Sequence, residues 1–286
     1  MIYLYIFLSI CCSIIVSVML KLSKRYQIDV YQAVVWNYSM AIFLSWLLLR
    51  PHITNLSGAP IFSYVLLGVL LPGIFIALGV AIKGSGIVRT DVAQRMSLLI
   101  PILAAFLLFD EKPGTLKIIG ILIGFIAIIC TVPWHKQGTK RQADAGSWVY
   151  LLIVFVGFGV IDVLFKQIVV AKADYNSSLF IVFVLAFIFS FAGLVYQVAT
   201  KKMRFSWPHI LIGWVLGMAN FCNILFYLKA HKILAYQPST VFSAVNIGVI
   251  VAGALAGLII FKEKLSLLNK AGIIIAIIAV IIIAKS

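Results

Sequence analysis

The sequence predicts an all-α integral membrane protein of ten transmembrane helices, arranged as two inverted five-helix repeats. Hydrophobic residues make up 64% and charged residues 11% of its 286 residues, far from the roughly half-apolar, quarter-charged make-up of soluble domains. Apolar runs of about 20 residues, the length that crosses a hydrocarbon core about 30 Å thick, recur from Ile2 to Ala284 with short polar breaks. Polar residues at run ends also recur at fixed offsets. Lys21, Asp29, Ser45 and Gly68 return 145 positions later as Lys166, Asp174, Ser190 and Gly213; Glu111, Lys112, Leu116 and Gly120 return 152 positions later as Glu263, Lys264, Leu268 and Gly272. A unit of five spans is odd, so its second copy enters the membrane in the opposite orientation, as in transporters built from inverted repeats.

The expected spans are 2–21, 31–50, 61–83, 87–109, 115–133, 148–170, 178–200, 208–229, 236–261 and 265–284. They divide into a first repeat over 1–133, a connecting loop over 134–147 and a second repeat over 148–286. Helices satisfy their backbone locally in lipid, whereas a barrel needs alternating strands of about ten residues; these runs are continuously apolar. The first run has no basic segment ahead of it and extends from Ile2 to Leu20, which reads as a retained span rather than a cleaved signal peptide.

A formal net charge of +15 raises the question of nucleic acid. Lys and Arg sit mainly in the short breaks between apolar runs rather than along one basic face, so cytoplasmic loops and anionic headgroups explain them better. Cys11, Cys12, Cys130 and Cys222 lie inside apolar runs without metal-ligand spacing and read as packing residues. No metal or cofactor is implied, and neither H-E-x-x-H nor G-x-S-x-G occurs, so an enzyme is not expected.

The two halves end in matching segments, Pro101-Ile102-Leu103-Ala104-Ala105-Phe106-Leu107-Leu108-Phe109-Asp110-Glu111-Lys112 and Gly257-Leu258-Ile259-Ile260-Phe261-Lys262-Glu263-Lys264-Leu265. Each carries an acidic residue at the turn and a glycine nine residues later. These junctions, and the span count over the whole chain, resemble the ten-helix metabolite-exporter branch of the drug/metabolite transporter superfamily. The resemblance implies an inverted-repeat carrier that exports or exchanges small organic metabolites. The mid-helix proline of that family is matched by Pro101, but its repeat mate is Gly253, so the two halves need not bend alike.

Loops one, three, five, seven and nine carry Lys24 and Arg25, Arg89, Lys136 with Lys140 and Arg141, Lys201 with Lys202 and Arg204, and Lys262 with Lys264. The even loops carry fewer cations, so the positive-inside rule places the odd loops in the cytoplasm and both termini outside. Multi-pass insertion in a bacterial inner membrane is the expected location.

Within the spans, polar residues are expensive and therefore informative. Arg95 precedes Asp110 by about 21 Å of helix, which leaves it inside the slab if Asp110 marks an interface. Its guanidinium suits a substrate carboxylate, with Gln94 beside it; alternatively it pairs with Asp91 or Asp162, or snorkels. Asp162 and Lys166 are spaced for a structural ion pair, or Asp162 takes a proton-coupling role. Asn220, Asn223 and Tyr227 form a polar stripe with Gly217 on span eight, and Asn37 belongs to a weaker stripe on span two; both suit either substrate contact or interhelical hydrogen bonds. Asn246 is the repeat mate of Gln94 and a further substrate candidate. Gly120 and Gly124 form a small-residue face that serves helix packing or a weak homodimer.

These residues point to a secondary or facilitative carrier, exporter or exchanger, of a small polar metabolite such as an amino acid or related carboxylate, working by alternating access among membrane lipids, with protons as a candidate coupling ion. The alternatives are a scaffold or accessory subunit, and a carrier of phosphorylated or nucleotide-linked metabolites.

Overall fold

A computed structural model describes residues 2–25, 28–51, 59–85, 87–112, 114–131, 147–171, 174–260 and 266–285. Among them are eleven helices: α1 Ile2–Arg25, α2 Val30–Leu49, α3 Ile61–Ser85, α4 Ile87–Met96, α5 Leu99–Leu107, α6 Thr115–Thr131, α7 Ser147–Val170, α8 Tyr175–Ala199, α9 Pro208–Ile233, α10 Pro238–Ile260 and α11 Leu267–Lys285. No strand occurs among the described residues. The connecting segment 132–146 and the Glu263–Lys264 turn lie outside them.

Six segments are long and apolar enough to cross a membrane: Val30–Leu49, Ile61–Leu78, Trp148–Val170, Tyr175–Ala199, Pro208–Ile233 and Pro238–Gly257. Four shorter apolar segments accompany them: Tyr3–Met19, Val92–Leu107, Thr115–Cys130 and Leu267–Ile283. Large apolar side chains cover the outside, among them Phe62, Leu107, Ile259 and Leu267. Such an apolar exterior belongs in lipid rather than water.

Helix ends follow local chemistry. Asp29 accepts from the backbone N–H groups of Tyr31 and Gln32 at the start of α2, and Asp174 accepts from Ser177 N–H at the start of α8. Each carboxylate thereby satisfies donors that have no intrahelical partner. The Asp174 cap explains why α8 begins at Tyr175, three residues before the expected span. Lys201, at φ 55°, closes α8 while Lys202 N–H reaches back to the Gln197 carbonyl, a left-handed C-terminal stop.

The fourth expected span differs from the observed structure. Instead of one helix over 87–109, α4 and α5 meet at a break around Ser97 and Leu98. Pro101 has no N–H to offer the Ser97 carbonyl four residues back. Ile100 N–H takes that acceptor instead at 3.0 Å, in a tighter i to i−3 bond. Ser97 Oγ donates to the Gln94 carbonyl at 2.6 Å and satisfies a second backbone acceptor at the break.

Small residues set the helix pairings. An ideal Cβ on Gly213 or Gly217 of α9 would stand 2.7 or 2.5 Å from the backbone oxygens of Ala33 and Asn37 in α2. On Gly68 of α3 it would stand 2.6 Å from Leu185 Cβ of α8. Gly120 and Gly124 of α6 meet Ile283 and Ala279 of α11 respectively, so these helices run antiparallel. The glycine face considered for a homodimer is thus occupied within the chain. Polar bonds reinforce the same seams: Ser63 Oγ donates to Gln167 Oε1 at 2.9 Å between α3 and α7, and Asn176 Nδ2 to the Leu49 carbonyl at 3.0 Å between α8 and α2.

A methyl group at Gly217 meets backbone, which cannot rotate away. Gly217→Val is expected to cost about 1–3 kcal/mol and to lower the thermal midpoint in detergent. Gly73→Ala, where a Cβ meets nothing within 4 Å, should leave that midpoint unchanged or raise it.

Candidate functional site

A buried polar cluster lies where α7, α9 and α10 meet. Tyr227 of α9, 6% exposed, donates its hydroxyl to Asp162 Oδ1 of α7 at 2.8 Å. Asn246 of α10 faces the same carboxylate, and its Nδ2 also donates to the Phe242 carbonyl at 2.9 Å. One turn beyond Tyr227, His231 stands edge-on to the Tyr227 ring at 4.7 Å and against Phe242 at 4.6 Å between centroids. His231 is fully buried, and neither ring nitrogen has a hydrogen-bond partner among the described residues. Three of the expected residues, Asp162, Tyr227 and Asn246, are therefore brought together.

Lys166 sits one turn beyond Asp162 and is fully buried, but the two do not pair with each other. Its ammonium donates to the Ala235 carbonyl at 2.8 Å and lies 5.9 Å from the Phe109 ring centroid. The expected ion pair is replaced by two separate sets of contacts, Asp162 with Tyr227 and Lys166 with the turn between α9 and α10. Both groups gain partners from other segments of the chain, which an i, i+4 pair on one helix would forgo.

A second cluster closes the end of the bundle nearest Lys166. Glu111, 6% exposed, follows Asp110, whose φ of 52° turns the chain after α5. Its Oε1 accepts from Lys117 Nζ at 2.8 Å and from Ser239 Oγ at 2.5 Å, while Oε2 accepts from Ser239 N–H at 2.8 Å. The carboxylate thus neutralises a buried lysine and caps the positive N-terminal end of α10. Sequence reading noticed Glu111 as a repeat marker, but the partner it caps lies 128 residues away. Nothing in the local pattern names that partner.

Arg95 and Gln94 occupy the last turn of α4, partly buried, immediately before the break. The register against α7 is set lower in the bundle, where Ile100 packs on Gly159, and Lys166 lies over Phe109 farther along. The segments run parallel, so Arg95 lies behind Ile100 and Asp162 ahead of Gly159. At 1.5 Å per residue the two are about 12 Å apart along the bundle. Arg95 is therefore at a different depth from Asp162, contrary to the pairing considered above. The side chain of Asp91 lies outside the described residues.

The other candidates serve other seams. Asn223 donates to the Ser9 carbonyl at 3.2 Å and joins α9 to α1. Asn220, one turn earlier, is partly buried. Asn37 is 1% exposed against α9, and neither atom of its amide group has a hydrogen-bond partner among the described residues; the same holds for the fully buried Tyr38 hydroxyl. Among the described residues, no group of three or more metal-ligating side chains forms.

No family model matches the chain. An uncharacterized protein of Haemophilus influenzae is 41% identical over 281 residues, covering 95% of this chain and 94% of that one. The two chains belong to one family. A crystallographically solved protein shares the fold at a TM-score of 0.73 and 12% identity, covering 98% of this chain and 94% of the other. At that identity the likeness speaks for the fold alone.

Removing one member of a buried ion pair costs about 3–5 kcal/mol. Glu111→Ala should therefore unfold at a clearly lower temperature than wild type. Adding Lys117→Met to that chain should recover part of the loss but not all, because the α10 cap stays missing. Equal thermal midpoints for wild type and Glu111→Ala would count against the contact.

Proposed function

We propose that the protein is a carrier of a small polar organic metabolite, such as an amino acid or related carboxylate, belonging to the drug/metabolite transporter superfamily and working by alternating access. The observation that carries the reading is the 2.8 Å bond from Tyr227 to Asp162, with Asn246 on the same carboxylate, deep in helices whose outer faces suit lipid. Ionisable groups at such depth are costly and, where they persist, commonly belong to substrate or proton pathways.

The architecture proposed is ten spans in two inverted halves, with α4 and α5 together forming one broken span. The six long and four shorter apolar segments supply that number. Support for the repeat comes from contact registers. Ile14 of α1 packs on Gly253 of α10, and Gly159 of α7 packs on Ile100 of α5. Position 14 advanced by 145 is 159, and 253 set back by 152 is 101, adjacent to Ile100. The Asp29 and Asp174 caps obey the same offset.

In this reading Arg95, at the mouth of a broken helix, draws in a carboxylate, and Asp162 exchanges a proton as its contacts with Tyr227 and Asn246 are made and released. The roughly 12 Å between their backbone positions along the bundle would assign recognition and coupling to different levels of the path. The Glu111–Ser239 contact joins the two halves and would close one end of the path. A bacterial inner membrane is the proposed location.

The test is uptake and counterflow of a metabolite panel in proteoliposomes. Arg95→Gln should lower transport of the accepted carboxylate by about tenfold or more, the worth of a lost charge-assisted hydrogen bond. Asp162→Asn should abolish uptake driven by a proton gradient while leaving counterflow exchange. Full transport by Arg95→Gln would end the clamp reading, and wild-type uptake indifferent to the gradient would end the coupling role of Asp162.

A further inference from the structure

An apolar groove of about 460 Å³ opens between α2, α8 and the start of α9, away from the Asp162 cluster. Its size falls within the roughly 300–1,000 Å³ of small-ligand sites. Trp36 forms one wall, and Phe191, Val195 and Val198 form another on one face of α8; Phe205 and Trp207 stand at its mouth. From Phe191 to Val198 the groove follows α8 for about 10 Å, much of the depth of one leaflet of a slab about 30 Å thick. The Trp36 ring is held edge-on by Phe191 and Phe205 at 6.3 and 6.4 Å.

At the mouth, the turn after α8 presents three exposed cations, Lys201, Lys202 and Arg204. The turn is built rather than loose. Gln32 of α2 is fully buried, donating Nε2 to the Arg204 carbonyl at 2.8 Å and accepting Ser206 N–H on Oε1 at 3.1 Å. That double contact fixes Arg204 and Phe205 against the helix end. Lys202 Nζ lies 5.4 Å from the Tyr196 ring centroid, and Phe205 meets Trp207 edge-on at 5.2 Å. Asp29, whose backbone N–H lies 3.4 Å from His209 Nε2, turns its carboxylate into the start of α2. It therefore leaves the cations unneutralised from that side.

We propose that this groove binds one anionic phospholipid, with an acyl chain along α8 and the phosphate on Lys201, Lys202 and Arg204. Apolar wall and cationic rim occur in the order in which a lipid presents its chain and headgroup. The three cations also belong to a loop that the positive-inside rule assigns to the cytoplasmic side, where anionic lipids concentrate. The proposal rests on membrane insertion and not on transport. A zwitterionic lipid fits the apolar wall equally well and also brings a phosphate, but its quaternary ammonium opposes the cationic rim, so net headgroup charge is the discriminating variable.

The test uses the full chain with every tryptophan except Trp36 and Trp207 replaced by Phe, reconstituted in phosphatidylcholine containing a small, equal fraction of brominated-chain phosphatidylglycerol or brominated-chain phosphatidylcholine. Quenching of these two indoles reports groove occupancy. Phosphatidylglycerol should quench at a mole fraction lower by on the order of a hundredfold, since each of the three cations near the surface contributes a factor on the order of five. Lys201→Gln, Lys202→Gln and Arg204→Gln together, all at exposed positions, should erase that preference. Val195→Phe, which fills the groove, should reduce quenching by both lipids. Equal quenching by the two lipids in the unsubstituted rim, or a preference that survives the triple replacement, overturns the proposal. So does loss of the preference on adding inorganic phosphate at constant ionic strength, which would mark a site for free phosphate.

Discussion

In hydrocarbon there is no water to take up a free N–H or C=O, and each unsatisfied group costs several kcal/mol. Much of this molecule follows from that constraint. It makes helix the local solution for nearly every apolar run, and it governs how helices end. Asp29 and Asp174 satisfy the first turns of α2 and α8, and Glu111 performs the same service for α10 from a distant part of the chain. The same constraint explains the break between α4 and α5. Pro101 removes one donor, and the Ile100 and Ser97 bonds re-satisfy the carbonyls beside it.

Once backbones are satisfied, lipid offers little hydrophobic drive for helices to associate, and close packing of small residues takes over. Helix α9 illustrates the division of labour. Gly213 and Gly217 bring its first turns against α2, Asn223 binds α1, Tyr227 binds α7, and His231 packs on Phe242 of α10. Successive turns of one helix thus contact four others. A residue on its polar stripe is therefore not one of a set with a common task, since each looks toward a different neighbour.

That explains which features were legible in the sequence. Helical class and most span limits could be read because they depend on residues within a few positions of one another, whereas Asp29 and Asp174 stand out in the sequence only as repeat markers and their capping role comes from the structure. The Asn220, Asn223 and Tyr227 stripe was visible by its spacing, yet only Tyr227 reaches Asp162; Asn223 is used on the Ser9 carbonyl. An i, i+4 spacing suggested that Asp162 and Lys166 neutralise each other, but tertiary partners at Tyr227 and Ala235 won both side chains. Pro101 was noticed, although the break falls three to four residues before it because the lost bond belongs to the Ser97 carbonyl. His231 carried no sequence signal beyond its type. Its interest comes from being wholly buried between two rings.

In the proposed repeat, the two halves differ at the Asp162–Tyr227 contact. At an offset of 145, Asp162 corresponds to Ser17 and Tyr227 to Ile82, whereas Lys166 corresponds to Lys21. Ser17 Oγ donates within its own helix to the Ser13 carbonyl at 3.0 Å and reaches no second helix in that bond. In the proposed two-half architecture this position thereby carries a carboxylate in the second half and a hydroxyl in the first. In the proposed alternating-access cycle, matched seams such as Gly68 against α8 and Gly213 against α2 would let the halves exchange conformations at little cost. A single off-axis carboxylate would give the two conformations different proton affinities, since its environment has no equivalent in the other half. Such a difference is what an ion gradient needs in order to bias an otherwise balanced exchange.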